Sequence, residues 1–364
     1  MTLIYFLIAV TLINSAYFLL FSRFSFSKES DKDLSNLPPV SLIVCAKNEE
    51  ENLKKHIPIW LNQNYPRFEI ILINDASIDD TKEVMEYYTA RDSRIKIVDV
   101  ENNEAFWGSK KYAMTLGIKK AKYEHLVFID ADCFPASDSW LQLMSARFST
   151  QKQIVLGYGA YLKEKGLLNS IIRFETLMTA VQYFSYAKAG NPYMGVGRNL
   201  AYTSPLFFHH NGFINHMKIQ SGDDDLFVNE AATSANTEIC TDPAAFTYSI
   251  PKNSWKSWIR QKTRHYGTAG HYRRKHRWSL GMFYLSNLLF WILVPIVLAT
   301  GYWQFGLGII LFRILIQYLI IGKAAKKLKE NNLIPFIPFF EFFLVLLQLF
   351  IFILYKRNKN VQWK

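Results

Sequence analysis

Cysteine is scarce in this chain of 364 residues. Its three cysteines, Cys45, Cys133 and Cys240, lie far apart and form no CxxC pair. This spacing argues against a disulfide framework and against a structural zinc site, because both need cysteines in pairs or clusters. We therefore expect three free, buried thiols in a reducing compartment.

The sequence also lacks any zinc-finger, RRM or helix-turn-helix pattern, although its net charge is +12 and its pI is about 9.4. A basic protein without such a pattern is better suited to an anionic membrane surface or a phosphorylated substrate than to nucleic acid. Much of the positive charge lies beside hydrophobic segments, which favours membrane-surface charge. We expect no nucleic-acid partner.

Charged residues are almost absent from four long apolar segments. They cover residues 3–21, 283–300, 305–321 and 334–354. Each is close to the roughly 20 residues that cross a bilayer as a helix. The first has no basic region before it and no small-residue cleavage site after it, which predicts an uncleaved anchor. The fourth contains Pro335, Pro338 and Glu341, and either a full crossing or a re-entrant or interfacial hairpin fits it.

The distribution of positive charge predicts the orientation of these segments. No charge precedes the first segment, whereas Arg23 and Lys28 follow it, and Lys323–Lys329 follow the third. Positive residues mark the cytosolic side, so the middle of the chain should be cytosolic. The predicted organisation is an anchor (1–24), a catalytic domain (38–270), transmembrane or re-entrant helices (280–355) and a cytosolic tail (356–364).

The middle of the chain alternates short β-branched runs with helical patterns. Strands are predicted at 40–44, 69–73, 95–100 and 125–129, with helices beginning near Glu49, covering 110–120 and covering 167–189. This alternation predicts an α/β fold with a mostly parallel sheet. We expect Ser77 to cap a helix that opens at Ile78, and the apolar helix 167–189 to lie at the membrane interface.

Acidic residues follow two of these strands. Asp75 follows the second, and Asp130-Ala131-Asp132 follows the fourth. Ligands bind beyond the carboxyl ends of the strands in such sheets. Two carboxylates one residue apart can bind a divalent cation and, through it, a diphosphate. A D-x-D alone is more often an ordinary turn, but the second acidic strand end favours a site.

Four fragments in order resemble the family 2 glycosyltransferases with the GT-A fold. Residues 44–50 resemble I-P-A-R-N-E-E, residues 74–81 resemble D-D-x-S-x-D-x-T, and 109–118 resemble G-K-x-x-A-L-N-x-G-I, with Cys45 and Ser109 as departures. The D-x-D at 130–132 is the fourth fragment. The resemblance implies that Mg²⁺ or Mn²⁺ binds Asp130 and Asp132. It implies a nucleotide-sugar site with the following residues: Ala46, Asn48, Glu49, Asp75, Lys110 and Asp130.

The acceptor half carries the remaining resemblance. Residues 197–202 resemble G-x-N-L-A-Y, which places Asn199 beside the acceptor, and 261–266 resemble Q-x-x-R-W, which places Gln261 and Arg264 at the diphosphate. His265 stands where processive members carry a tryptophan that stacks on the acceptor, which argues against a polymerase.

The catalytic base of this family is the last aspartate of a T-E-D or G-D-D segment. Alignment of residues 221–226 on Gly222 selects Asp224, whereas alignment on Leu226 selects Asp223. We favour Asp224, in a catalytic cluster that includes Asp223 and Asp225. A base must take the proton of the incoming hydroxyl as the diphosphate leaves, and neighbouring carboxylates raise its basicity.

Together these features predict an inverting, membrane-embedded glycosyltransferase similar to the cellulose, hyaluronan and poly-N-acetylglucosamine synthase group. The expected donor is a nucleotide-sugar, with UDP as its nucleotide, and the expected acceptor is a membrane lipid or lipid-linked glycan. We expect a bacterial inner-membrane location and single-sugar addition. The alternatives are a processive poly-N-acetylglucosamine-type synthase and a non-catalytic nucleotide-sugar-binding subunit. The final residues 361–364 resemble a cytosolic V-x-W-K segment of the family.

Overall fold

A computed structural model of the protein describes residues 1–29, 33–100, 109–219 and 221–357. The terminal segment 361–364, for which a family resemblance was noted, lies outside these residues, as does most of the predicted tail 356–364.

The centre of the fold is a seven-stranded sheet. Its strands are β1 (Val40–Ala46), β2 (Phe68–Asp75), β3 (Ile95–Val100), β4 (His125–Phe128), β6 (Ile154–Leu156), β8 (Leu200–Thr203) and β9 (Thr237–Ile239). They are ordered β3-β2-β1-β4-β8-β6-β9. The first four are mutually parallel, whereas β8 runs antiparallel to β4 and β6. The predicted mostly parallel α/β sheet is confirmed, and its four predicted strands are present.

A second sheet has three short strands. Its order is β5 (Cys133–Pro135), β10 (Thr247–Ser249) and β7 (Gly159–Tyr161). Because β5 begins directly after Asp132, this sheet fixes the position of the loop 130–132.

Helices flank both sheets and continue to the C-terminus. They are α1 (Thr2–Ser25), α2 (Glu50–Leu61), α3 (Thr81–Thr89), α4 (Ser109–Lys120), α5 (Trp140–Ser145), α6 (Leu167–Lys188), α7 (Ser204–His209), α8 (Asp225–Ala231), α9 (Trp255–Ala269), α10 (Arg274–Leu298), α11 (Trp303–Lys327) and α12 (Ile337–Arg357). The predicted cap at Ser77 is wrong, because α3 begins only at Thr81. The Ser77 hydroxyl instead accepts a hydrogen bond from the Asn48 amide (3.0 Å), which joins the loops after β1 and β2.

Alternating side chains of the strands build two hydrophobic cores. On β1, Leu42 and Val44 face one core, and Ile43 faces the other, as the period-2 geometry of a strand requires. Helix α4 lies close against β2, because a Cβ on Gly117 would come within 2.2 Å of Ile73 Cδ1. Helix α6 contributes much of its length to the second core, where it lies between the sheet and α1.

Four helical segments are long and apolar enough to cross a membrane: Thr2–Ser25, Arg274–Leu298, Trp303–Lys327 and Asn331–Arg357. At the centre of this bundle the fully buried Arg313 donates to Asn14 (2.8 Å), Asn287 (2.6 Å) and Glu341 (2.8 Å). One guanidinium therefore links α1, α10, α11 and α12.

Helix α12 begins at mid-depth of this bundle and ends beside α9. Glu341, near its start, contacts Arg313 and accepts a hydrogen bond from Trp291 (3.3 Å). Near its end, the rings of Phe352 and Tyr355 pack on Tyr266 of α9. The helix is continuous from Ile337 to Arg357, without the internal reversal of a hairpin.

Candidate active site

The carboxyl ends of β1, β2 and β4 open into a cavity of about 980 Å³. Helix α9 and the small sheet form two of its other walls, and α6 borders it on the side of the long apolar helices. Ten predicted site residues line it: Glu49, Asp75, Lys110, Asp130, Asp132, Asp223, Asp224, Asp225, Gln261 and Arg264. Motifs separated by more than 100 residues in sequence therefore meet in one cavity.

The loop after β4 has the donor atoms of a divalent-cation site. Carboxylate oxygens of Asp130 and Asp132 and the Cys133 thiol lie within 4.8 Å of one another. Carboxylates are suitable ligands for Mg²⁺ or Mn²⁺. The buried Cys133 thiol lies 2.9 Å from the Ser249 hydroxyl, and burial raises the pKa of this thiol. The two aspartates are therefore the fitting ligands.

Lys110 connects this loop to the second acidic cluster. Its ammonium contacts Asp130 at 3.2 Å and Asp223 at 2.8 Å. Burial opposes ionisation of Asp223, but the Lys110 charge outweighs it and lowers the pKa of this carboxyl. Asp223 is therefore held as an ion-paired carboxylate.

Asp224 is in a different environment from its two neighbours. Its Oδ2 accepts a hydrogen bond from the Gly197 amide and its Oδ1 accepts one from the Asp225 amide, both at 2.7 Å. Burial, and then the charges of Asp223 and Asp225, raise the pKa of Asp224 to about 7. A carboxylate with a pKa near neutrality is suited to accept a proton.

Asp225 is engaged by hydroxyl groups at the end of α9 and just beyond it. Its Oδ2 accepts from Thr268 (2.5 Å) and from Tyr272 (2.6 Å). Burial raises its pKa, while the two hydroxyl donors act in the opposite direction. These contacts link α8 to the chain just before α10, so Asp225 is committed to holding these helices together.

The two loops expected to bind the nucleotide contribute unequally to the cavity. Glu49 lines it, accepts a hydrogen bond from Asn52 (2.6 Å), and has a pKa raised by burial. Asp75 lines it as well. Asn48 instead accepts from the Ile78 amide (2.9 Å) and joins the two loops. Ala46 is buried in the core at the end of β1, so the side chains of Asn48 and Ala46 do not reach the cavity.

Asn199 does not lie on the acceptor side of the cavity. It is fully buried, accepts a hydrogen bond from Trp140 (3.0 Å), and donates to the carbonyls of Tyr158 (3.0 Å) and Ala245 (2.8 Å). Every polar atom of its side chain is occupied, so the expected acceptor contact is wrong. His265 lies on α9, but its side chain is outside the described part of the chain.

Lys111 is a site residue that the sequence reasoning missed. It is buried and donates to three carbonyl oxygens, those of His216 (2.7 Å), Ile219 (2.9 Å) and Ser221 (2.8 Å). An ammonium has three N–H donors, and here all three hold the segment that leads into Asp223. Successive helical residues point about 100° apart, so Lys110 and Lys111 have different environments.

Three more cavity residues were not predicted. Arg198 donates to the Ala160 carbonyl (3.3 Å) and the Ser249 hydroxyl (3.2 Å). Across the cavity, Lys262 of α9 forms a 2.5 Å ion pair with Glu175 of α6. Arg198 and Lys262 lie within the motifs at 197–202 and 261–266, whereas no sequence pattern marks Glu175.

Part of the chain is similar to known proteins. Residues 41–198 match the family model "Glycosyl transferase family 2". An uncharacterized glycosyltransferase of Haemophilus influenzae is 31% identical over 126 residues, which are 35% of this chain and 48% of that protein. A poly-beta-1,6-N-acetyl-D-glucosamine synthase of Staphylococcus aureus is 30% identical over 123 residues, 34% of this chain and 29% of that protein. The chain thus spans less than half the length of these curated relatives.

The same fold occurs in a mannosyltransferase from Pyrobaculum calidifontis, solved in complex with GDP-Man and Mn²⁺. The two structures align with a TM-score of 0.61 at 16% identity, over 91% of this chain and 98% of the other. Residues 41–198 are therefore similar to glycosyl transferase family 2, and the chain has the GT-A fold and four helices long and apolar enough to cross a membrane.

Proposed function

We propose that the protein is an inverting glycosyltransferase that moves one sugar from a nucleotide-sugar, with UDP as its nucleotide, to a membrane lipid or lipid-linked glycan. The observation that carries the proposal is the meeting of Asp130, Asp132 and Asp224 in one cavity at the carboxyl ends of the strands. This cavity combines groups for a metal-bound diphosphate with a separate carboxylate of raised pKa.

The reaction is a single displacement. Asp224 takes the proton of the acceptor hydroxyl while that oxygen attacks the anomeric carbon. Arg264 binds the departing diphosphate, for which a guanidinium has a matching bidentate geometry. Glu49 and Asp75 border the nucleotide, and Lys110 keeps the donor half and the base half of the site together.

Asp130 and Asp132 would hold a divalent cation, Mg²⁺ or Mn²⁺. When bound, this cation would neutralise charge on the leaving diphosphate. Their carboxylate oxygens lie within 4.8 Å of each other beside the cavity, which supports the assignment.

Single-sugar addition is favoured over polymer synthesis. The centre of the helical bundle is filled by Arg313 and its partners, which leaves no channel at this point of the described bundle. The 123 residues shared with the S. aureus synthase leave most of that protein unmatched.

The catalytic domain is proposed to face the cytosol, on the membrane of a bacterial cell. Lys326 and Lys327 end α11 on the side of the catalytic domain, as the positive-inside rule requires. The path of α12, from Glu341 at mid-depth to Tyr355 beside α9, supports a re-entrant or interfacial segment. This path would leave Lys356 and Arg357 on the cytosolic side.

A panel of sugar-labelled nucleotide-sugars tests the proposal. Membranes that contain the full chain are incubated with each donor, and the lipid fraction is analysed for added label. One donor should label a lipid fraction with wild-type protein and not with Asp224→Asn, while both proteins bind the nucleotide equally. Equal labelling by the two proteins would refute the base assignment. The absence of labelling with every donor would refute the transferase itself.

A further inference from the structure

The acid cluster Asp223–Asp225 disfavours an anionic acceptor, because the cations around it already have partners. Lys110 pairs with Asp130 and Asp223, and Lys111 donates to three carbonyls. Lys262 pairs with Glu175. An additional anion near Asp224 would therefore meet carboxylates before it met an available cation among these side chains.

Of the other cations of the cavity, Arg198 already donates to Ala160 and Ser249, and Arg264 is assigned to the departing diphosphate. Lys252, Lys256 and Arg260 line the cavity from the segment before α9 and from its first half. The charge of Lys252 acts on Glu49, one of the nucleotide-side residues. Lys252 therefore lies on the donor side of the cavity.

The acceptor could be a lipid phosphate or an alcohol, and the two need different groups in the site. A lipid phosphate is already an anion at neutral pH, since its second pKa is about 6. It needs no base, and three carboxylates would repel it. An alcohol keeps its proton at neutral pH and needs a base to become a good nucleophile. Asp224, held by the amides of Gly197 and Asp225, is placed to act as this base.

The wall of the cavity between α6 and α9 carries polar groups that can form hydrogen bonds with a sugar. Glu175, Thr176 and Thr179 of α6 line it opposite Gln261 and Lys262 of α9. These hydroxyl, amide and charged groups offer both donors and acceptors of hydrogen bonds. They interrupt a helix that is otherwise largely apolar, and Glu175 pairs across the cavity with Lys262.

From these observations we infer that the acceptor presents a neutral sugar hydroxyl, and that a lipid phosphate is not the nucleophile. This inference rests on the proposed function and narrows it. The hydroxyl oxygen forms a bond to the anomeric carbon, and its proton passes to Asp224. The bond from the anomeric carbon to the phosphate oxygen breaks, and the nucleoside diphosphate leaves with the electron pair. The product is a glycoside and not a glycosyl phosphate.

The chemical stability of the product distinguishes the two acceptors. Membranes that contain the full chain are given the active sugar-labelled nucleotide-sugar, and the labelled lipid is treated with mild acid, which cleaves glycosyl phosphates and spares glycosidic bonds. We expect the label to stay on the lipid or to appear in a saccharide of two or more units. Release of the label as a free monosaccharide would overturn the inference and leave glycosyl transfer intact. Failure of the wild-type protein to label any lipid would instead refute the proposed function.

Variants of the polar wall give a second measurement. Thr179→Val and Glu175→Gln should raise the KM for the lipid that accepts the labelled sugar roughly 5- to 10-fold. They should leave the KM for the donor within about twofold. Ser170→Ala is the matched control, because Ser170 lies on the same helix outside the cavity. An unchanged acceptor KM in both wall variants would show that this wall does not contact the acceptor, and would overturn the assignment of a sugar to it.

Discussion

Replacement of Asp223 by asparagine is expected to shift the pH dependence of transfer. In the wild-type protein, burial and the charges of Asp223 and Asp225 raise the pKa of Asp224 to about 7. The base works as a carboxylate, so activity should be present above this pKa and lost below it. With one controlling group, the ionised fraction falls from roughly 90% at pH 8 to roughly 10% at pH 6, about a tenfold decrease in kcat/KM.

The size of the shift follows from the charge that is removed. Two unit charges ~6 Å apart at an effective dielectric constant of about 20 interact by roughly 2–3 kcal/mol, and about 1.4 kcal/mol corresponds to one pKa unit. Asparagine at position 223 also leaves Lys110 without its 2.8 Å partner, so this ammonium acts more strongly on Asp224. Both effects lower the pKa of Asp224, and we expect the acidic limb to move down by roughly 1 unit or more.

The assay is kcat/KM for the nucleotide-sugar from pH 5 to 9, with each profile scaled to its own maximum. Scaling separates the position of the limb from any general loss of activity caused by the substitution. Asp138→Asn removes an exposed carboxylate outside the cavity and should leave the limb unmoved. An acidic limb that stays in place or moves to higher pH in Asp223→Asn would refute the electrostatic reasoning.

Three further predictions concern positioning and packing. Lys111→Met should lower kcat roughly 10- to 100-fold at unchanged nucleotide affinity, because it frees the segment before Asp223. Lys119→Met, on the exposed face of α4, is the control and should match wild type in the same single-turnover assay. Gly117→Ala should destabilise the protein by about 1–3 kcal/mol in denaturant unfolding, since its Cβ would clash with β2; unchanged stability would contradict the close packing of α4. Arg313→Met should lower the Tm in detergent markedly, with a cost of about 3–5 kcal/mol for the buried carboxylate left behind, and the added Glu341→Leu should restore most of it. A double variant as unstable as the single one would argue against this ion pair.

The sheet and the positions of the acidic loops were predictable because they depend on local patterns. Alternating or continuous apolar runs give the strands, and the carboxyl end of a parallel strand is the usual place for a polar ligand. Asp75 and Asp130 were found in this way. The family resemblance added Arg264, which no local pattern would have identified.

The separate roles of Asp223, Asp224 and Asp225 could not be read from the sequence. Their partners lie far along the chain: Lys110 for the first, the Gly197 amide for the second, and hydroxyl groups at 268 and 272 for the third. Asn199 belongs to a family motif, yet its buried side chain only forms hydrogen bonds within the protein and does not contact the cavity. Such distinctions depend on tertiary contacts, which a motif does not encode.

The most direct test of the central claim compares two single substitutions in one experiment. Nucleotide binding with and without Mn²⁺, and transfer of labelled sugar to membrane lipid, are measured for Asp132→Asn and Asp224→Asn. We expect Asp132→Asn to lose both metal-dependent nucleotide binding and transfer, and Asp224→Asn to lose transfer by at least about 100-fold while binding is retained. Equal loss of nucleotide binding in both variants, or transfer that persists in Asp224→Asn, would contradict a site divided into a metal-binding donor half and a separate base.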